Sequence, residues 1–140
     1  MDRSKFTPEY FNQLSLERFP STLGIVITKV FTEEMRAEFE VRQSLLAPNG
    51  YLHAGSVVTL ADTCAGYGCL ANLPEKATGF TTIELKSNHL GTAREGIVEC
   101  IATPVHLGKT TQVWDAIVLN KDSLKRIAIF RCTQLILYTG

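Results

Sequence analysis

The sequence predicts an α+β fold in which a curved antiparallel β-sheet wraps around one long central helix. Residues 54–73 form the most apolar stretch of the chain, and they contain a single acid, Asp62. Two strand-like runs precede this stretch and four follow it. Short turns join the last four runs, and short connections favour antiparallel neighbours. The pattern leaves the order of the strands within the sheet open.

The part of the chain before the central helix is predicted to hold a short helix and two strands. Thr7 suits an N-cap and Pro8 the first helical position, and we expect Pro20 to end this helix. Residues 24–31 are rich in β-branched side chains. Residues 33–41 alternate between apolar and polar side chains, which indicates a strand with one solvated face.

The part after the central helix is predicted to be four strands. They span residues 80–90, 96–107, 111–120 and 127–138. Strict alternation in the first of them would place Thr82 and Lys86 on one face and Leu85 on the other. No repeat or linker interrupts the pattern, so we expect one domain over residues 1–140.

Composition narrows the classes of function. The chain has 140 residues and a formal net charge of +0 at pH 7, so no basic surface indicates nucleic acid or an anionic membrane as a partner. Residues 54–73 are long enough to span a bilayer, but Asp62 near the middle would cost about 2.5–3.5 kcal/mol there. We therefore expect protein, rather than lipid, to enclose the helix. The opening residues lack a signal-peptide pattern, which favours the cytoplasm.

The chain contains four cysteines, Cys64, Cys69, Cys100 and Cys132. They form no CxxC pair and have no zinc-ligand spacing. We expect all four to be buried or semi-buried thiols in a reducing cytoplasm, with no disulfide and no metal site.

The segment "NGYLHAGSVVTLADT" carries a resemblance to a known family. It is similar to the hotdog-fold acyl-CoA thioesterases, in particular the phenylacetate-degradation type. In that family a Gly-x-x-His-Gly-Gly turn leads into the central helix, and an acid follows the His by nine residues. The corresponding residues here are Gly50, His53, Ala54, Gly55 and Asp62.

The resemblance continues through "TTIELKSNHLGTAREG" and "HLGKTTQVWDAIVLN" and covers the chain from about residue 45 onward. Residues 1–20, with the N-terminal helix, lie outside it. Two positions depart from the family pattern. Ala54 replaces a Gly, which leaves the backbone N–H in place. Ala47 stands where many members carry Asn or Gln, and Asn49 is a candidate to replace that side chain.

The resemblance implies that Asp62 is the catalytic carboxylate, acting as general base or nucleophile. It also implies that a backbone N–H at Ala54 or Gly55 stabilises the thioester oxygen, because a helix N-terminus offers free N–H groups. We expect His53 to position this turn through a side-chain hydrogen bond. Thr82 matches a family position near the attacking water. No metal or redox cofactor is needed for this chemistry.

Spacing along the helix places the two halves of such a site apart. Asp62 follows Ala54 by eight residues, which is about 12 Å along a helix axis. The implication, in agreement with the family, is a homodimer with shared active sites, or a homotetramer built from such dimers. The resemblance also implies coenzyme A contacts at Lys86, His89, Arg94, Gly108, Lys109 and Thr110. The "GKTT" stretch is not a P-loop, since the required earlier glycine is Thr103.

Three alternatives stay open at this point. Asp62 could be a structural acid that caps a turn or pairs with a basic side chain. The protein could instead be a hydratase or dehydratase of acyl thioesters on the same fold. It could also be a non-catalytic module that binds acyl-CoA, although a chain of this length leaves no room for a DNA-binding segment beside it.

Overall fold

The computed structural model describes residues 2–139. In chain order, the elements are α1 (Pro8–Ser15), α2 (Phe19–Thr22), β1 (Val26–Phe31), β2 (Glu34–Glu40), α3 (Ala54–Ala71), β3 (Gly79–His89), β4 (Ile97–Leu107), β5 (Thr111–Asn120) and β6 (Arg126–Leu137). A single 3-10 turn, Gln43–Leu45, lies between β2 and α3. The predicted order of helix, two strands, long helix and four strands is confirmed, with α2 as an addition.

The first helix begins as predicted but ends earlier. The Thr7 hydroxyl oxygen accepts a hydrogen bond from the backbone N–H of Tyr10 at 3.1 Å, which makes Thr7 the N-cap. The helix ends at Ser15, so the prediction that Pro20 ends it is wrong. Pro20 lies instead in the first turn of α2, where the N–H that proline lacks would have had no helical partner.

The six strands form one antiparallel sheet in the order β1-β2-β4-β5-β6-β3. The connection through α3 carries the chain from β2 to the far edge of the sheet, where β3 pairs with β6 alone. The concave side of the sheet packs on α3, which contacts β2, β3, β4, β5 and β6. This arrangement confirms the predicted α+β hotdog fold.

The centre of the core lies between α3 and the middle strands. A Cβ placed on Gly68 would lie 2.6 Å from Cζ3 of Trp114, so only glycine allows the helix this close to the buried indole. The predicted alternation of β2 is confirmed, since Met35, Ala37 and Phe39 are buried between half-exposed polar residues. Within residues 2–139, no helix is both long and apolar enough to cross a membrane.

The four cysteines are buried free thiols, as predicted. Burial raises the pKa of Cys69 and of Cys132 to about 12, and it raises the pKa of Cys100 well above the usual range. A thiol reacts as its thiolate, so these residues are held in the unreactive form at neutral pH.

The alternation predicted for β3 is wrong. A β-bulge between Thr82 and Glu84 inserts one extra residue into the strand. Thr82 is paired with the buried Gln134, and Leu85 is paired with the buried Cys132. Thr82 and Leu85 therefore share the side that faces α3, whereas strict alternation would have placed them on opposite faces.

Candidate active site

The N-terminus of α3 is organised by His53. Its Nδ1 atom accepts a hydrogen bond from the backbone N–H of Gly55 at 2.7 Å, and its carbonyl oxygen accepts from Ser56 and Val57. The Gly55 N–H is therefore already engaged in a hydrogen bond within the turn. The N–H of Ala54 has no acceptor among residues 2–139. Of the two predicted oxyanion donors, Ala54 is thus the available one, at the positive end of the helix dipole.

The loop before this turn is held by Asn49. Its side-chain oxygen accepts from the backbone N–H of Tyr51 at 3.1 Å, and Gly50 adopts a left-handed φ of 85°. The Ala47 N–H and carbonyl close the same loop by bonding Tyr51 and Gly50. Asn49 consequently has a structural task in the turn. Only the side-chain amide nitrogen of Asn49 is free to contact a substrate. That Asn49 takes the place of the Asn or Gln that the family carries at the position of Ala47 stays a prediction.

Asp62 lies on α3 with its carboxylate largely buried. The Oδ1 atom is fully enclosed, and no side chain or backbone N–H within residues 2–139 donates a hydrogen bond to it. Burial raises the pKa of the carboxyl above its usual range. Buried polar atoms are nearly always paired in folded proteins. The structural alternative, a cap or an ion pair, therefore has no partner in this part of the chain.

The separation between Asp62 and Ala54 is fixed by the helix that carries both. α3 is continuous from Ala54 to Ala71, so the eight-residue spacing gives about 12 Å along its axis. A bound carbonyl needs its hydrogen-bond donor at about 3 Å. The Asp62 carboxylate and the Ala54 N–H of one chain are therefore too far apart to act on the same thioester carbonyl.

A chain of polar side chains lies on the helix-facing side of β3 and β6. The Thr82 hydroxyl donates to Oε1 of Gln134 at 2.7 Å, and Nε2 of Gln134 donates to the Cys132 sulfur at 3.4 Å. Burial, and to a smaller extent the Asp62 charge, raise the pKa of the Cys132 thiol to about 12. Because the Thr82 proton is engaged, its hydroxyl can only accept from a water. Its predicted role near the attacking water stays a prediction.

Phe80 and Gly66 were not identified by the sequence analysis. Gly66 follows Asp62 by one helical turn, and a Cβ placed on it would lie 3.2 Å from Cζ of Phe80. The Phe80 ring is half-buried and packs against the core. The spacing of four residues indicates that Gly66 lies on the same helix face as Asp62. No local pattern marked Phe80, Gln134 or Cys132.

Two of the predicted coenzyme A contacts lie toward the N-terminal end of α3. His89 is at the last position of β3, where it pairs with Ala128 of β6. The Arg94 guanidinium lies 5.0 Å from the centre of the exposed Tyr51 ring. The backbone N–H of Leu52 donates to the carbonyl oxygen of Ala93. This bond holds the segment with Arg94 beside the turn that precedes α3.

Three other predicted coenzyme A contacts lie at the opposite end of β6 from the residue that pairs with His89. Gly108, Lys109 and Thr110 form the β4–β5 turn, and the Thr110 carbonyl accepts from the N–H of Ile136 near the end of β6. Eight residues of β6 separate this point from the residue that pairs with His89, or about 26 Å. The structure therefore does not bring the two sets together within one chain.

Lys86 is placed away from the site. It pairs with Arg131 on the convex side of the sheet, opposite α3, and lines a shallow groove there. The same groove contains the exposed ion pair between Arg131 and Asp115, at 2.6 Å. This position does not support the prediction that Lys86 contacts a substrate bound at Asp62.

Comparisons with known proteins agree with the fold. The sequence profile of the thioesterase superfamily matches residues 49–127. A 1,4-dihydroxy-2-naphthoyl-CoA hydrolase of Listeria monocytogenes is 35% identical over 80% of this chain and 89% of that protein. The putative esterase ComA2 of Bacillus subtilis is 35% identical over 82% of this chain and 90% of that protein.

Solved structures give the same result. A mutant of thioesterase PA1618 from Pseudomonas aeruginosa superposes with a TM-score of 0.90 at 29% identity, over 96% of each chain. Thioesterase HI1161 from Haemophilus influenzae superposes with a TM-score of 0.90 at 30% identity, over 97% of this chain and 94% of that one.

Proposed function

The chain belongs to the thioesterase superfamily and is a thioester hydrolase, and from this premise we propose that it hydrolyses an acyl-CoA thioester with Asp62 as its catalytic carboxylate. The observation that carries the proposal is the buried, unpartnered carboxylate oxygen of Asp62. Leaving a buried polar atom unpaired costs about 1–3 kcal/mol. A binding site for water or substrate explains why the fold tolerates that cost.

The proposed reaction uses a carboxylate, a backbone N–H and water. Asp62 either removes a proton from water as the water oxygen attacks the thioester carbon, or attacks that carbon itself. The oxygen of the thioester becomes negatively charged and accepts from the Ala54 N–H of a partner subunit. The carbon–sulfur bond then breaks, and the leaving thiolate takes up the proton that water gave up. On the nucleophilic route the acyl group first stays on Asp62 as a mixed anhydride, which a water molecule then hydrolyses. Both routes end with the free acid and the coenzyme A thiol. This chemistry requires no metal and no redox cofactor.

The proposed partner subunit binds at the β3 edge. β3 is eleven residues long, and Ile83 and Leu85 on it are 57% and 43% exposed. The opposite edge, β1, has six residues and a bulge between Ile27 and Lys29, and it packs against α1. Both edge strands contain a bulge, so length, exposed apolar side chains and cover distinguish them. A long edge with exposed apolar side chains favours pairing, whereas a short edge covered by a helix opposes it. We therefore place the dimer interface at β3.

Symmetric pairing of β3 with its copy would complete the site. In an antiparallel pair, the Gly79 end of one strand lies beside the His89 end of the other. The β4–β5 turn of one subunit would then approach the His89 and Arg94 end of its partner. The same symmetry would bring Asp62 toward Ala54 of the partner subunit. Both separations observed within one chain are thereby accounted for by a dimer, which can itself assemble into a tetramer.

The experiment that tests this function is a panel of acyl-CoA substrates assayed for release of free thiol. Asp62→Asn should lower kcat by about 10²- to 10⁴-fold, because it removes the base or nucleophile while keeping the side-chain size. Asp115→Asn is the matched control, since Asp115 lies on the convex side in an ion pair with Arg131. Its kcat should stay at the wild-type value.

Two outcomes would contradict the proposal. Wild-type turnover by Asp62→Asn would remove the residue from the mechanism. Binding of a non-hydrolysable acyl-CoA analogue without turnover of any thioester would favour the binding-module alternative. The cytoplasmic location stays a prediction from the sequence.

The acyl group is the least constrained part of the proposal. The sequence left aromatic, short-chain and medium-chain acids open. The relative from Listeria monocytogenes is named for an aromatic acyl-CoA, and this name supports the aromatic class here.

A further inference from the structure

We propose that Phe80 selects the acyl group: its ring forms a wall of the acyl pocket one helical turn from Asp62 and favours planar aromatic acids. This inference rests on the proposed function and names its substrate class. Within it, Phe80 is a specificity residue and takes no part in bond breaking.

The placement of Phe80 follows from Gly66. Residues four apart on a helix project from the same side, so Gly66 lies on the face that carries Asp62, one turn further toward the C-terminus. Gly66 has no side chain, and the ring fills the place that one would take. A Cβ there would lie 3.2 Å from Cζ and 3.6 Å from Cε2 of Phe80. The ring therefore rests on bare helix backbone one turn beyond the residue proposed as catalytic.

The ring is also accessible from the side where a substrate would lie. Phe80 pairs with the buried Ile136 on the helix-facing side of β3, but its own side chain is only half-buried. β3 is the edge strand at which the proposed dimer forms. An acyl group whose carbonyl carbon is next to Asp62, and which extends along α3 toward its C-terminus, meets Phe80 one turn later.

The chemistry of the wall discriminates between flat and saturated rings. Asp62 is the one charged residue of α3, and the groups in contact one turn beyond it are the bare backbone of Gly66 and the apolar ring of Phe80. An aromatic ring gains from stacked or edge-to-face contact with Phe80 beyond the area that it buries. A saturated ring of the same carbon skeleton buries similar area without that gain.

The experiment compares kcat/KM for benzoyl-CoA and cyclohexanecarbonyl-CoA, which share a carbon skeleton. If the wild type prefers larger rings, 2-naphthoyl-CoA and its decahydro counterpart replace them. Phe80→Leu should lower the aromatic-to-saturated ratio by about fivefold, through loss on the aromatic substrate. Phe80→Tyr keeps the ring and should keep the ratio.

Two further variants control for folding. Phe6→Leu removes a half-buried aromatic ring from the cluster around Tyr10 and Phe11, and it should leave the ratio unchanged. Gly66→Ala shifts the Phe80 ring slightly without altering Phe80, since its Cβ would lie 3.2 Å from Cζ, and it should lower the ratio less than Phe80→Leu does. Melting temperatures of all variants identify any loss of fold.

The outcomes separate the two proposals. An unchanged ratio in both Phe80→Leu and Gly66→Ala, with folded protein and active wild type, overturns the role of Phe80 alone. A wild type that hydrolyses no CoA thioester overturns the proposed function instead. A wild type that hydrolyses only straight-chain acyl-CoA keeps the function and contradicts the aromatic preference.

Discussion

On one side of α3, Gly68 lies under the indole of Trp114, and on the other side Gly66 lies under the ring of Phe80. The two glycines serve the same purpose, since each lets an aromatic ring rest on helix backbone. The approach is closer at Gly68, where a Cβ would be 2.6 Å from the ring, than at Gly66, where it would be 3.2 Å away. We refer to the Gly68 side as the closed face and to the side with Asp62 and Gly66 as the open face.

The two faces differ in how they pair their polar groups. Near the closed face, the Trp114 N–H donates to Oε1 of Gln112 at 2.8 Å, and Nε2 of Gln112 donates to the Asn72 carbonyl at 2.8 Å. On the open face, the enclosed oxygen of Asp62 has no partner among residues 2–139. The paired groups of the closed face contribute to packing, and the unpaired carboxylate of the open face is the observation on which the proposed site rests.

Alanine at the two glycines gives the largest expected difference between the faces. Gly68→Ala should lower the free energy of unfolding by about 1–3 kcal/mol, because the buried indole cannot move aside. Gly66→Ala should cost less, since the half-buried Phe80 ring can turn outward. Denaturant unfolding at one protein concentration measures both. A larger loss for Gly66→Ala would show that the open face is the more tightly packed one.

The pH dependence of stability gives a smaller but diagnostic difference. Burial raises the pKa of Asp62 in the folded protein above its unfolded value. The unfolded state therefore ionises first, and stability falls as pH rises from about 3.9 through the folded pKa. Asp62→Asn removes this loss, so the variant should become more stable than the wild type across that window while losing activity.

The control for this measurement is Asp115→Asn. It breaks an exposed ion pair with Arg131 and should lose about 0–1 kcal/mol without any gain. If Asp62→Asn is less stable than the wild type at neutral pH, the carboxylate has a stabilising partner within the protein, and the open face does not carry the proposed site.

Much of the fold could be predicted because its signals are local. The apolar run that became α3, the alternation of β2 and the cap at Thr7 each depend on residues close together in sequence. Asp62 stood out for the same reason, as one acid in an apolar helix. Its proposed catalytic role depends on the resemblance, and its lack of a hydrogen-bond donor could be recognised only from the structure.

The remaining features depend on contacts between distant residues. The bulge between Thr82 and Glu84 follows from the pairing with β6, fifty residues away, and it moved Leu85 to the helix-facing side. The contact between Phe80 and Gly66 depends on β3 lying at the sheet edge, which the sequence left open. The separation of Lys86 from Asp62 has the same origin, since only the register places Lys86 on the convex side.

The central claim is that one active site combines Asp62 of one subunit with the α3 N-terminus of another. Mixing inactive Asp62→Asn protein with inactive Ala54→Pro protein, which lacks the donor N–H, tests it directly. After subunit exchange confirmed by mass spectrometry, mixed dimers should contain one intact site of two and restore about a quarter of wild-type activity. Exchange without any recovered hydrolysis would place both groups in the same chain and contradict the shared site.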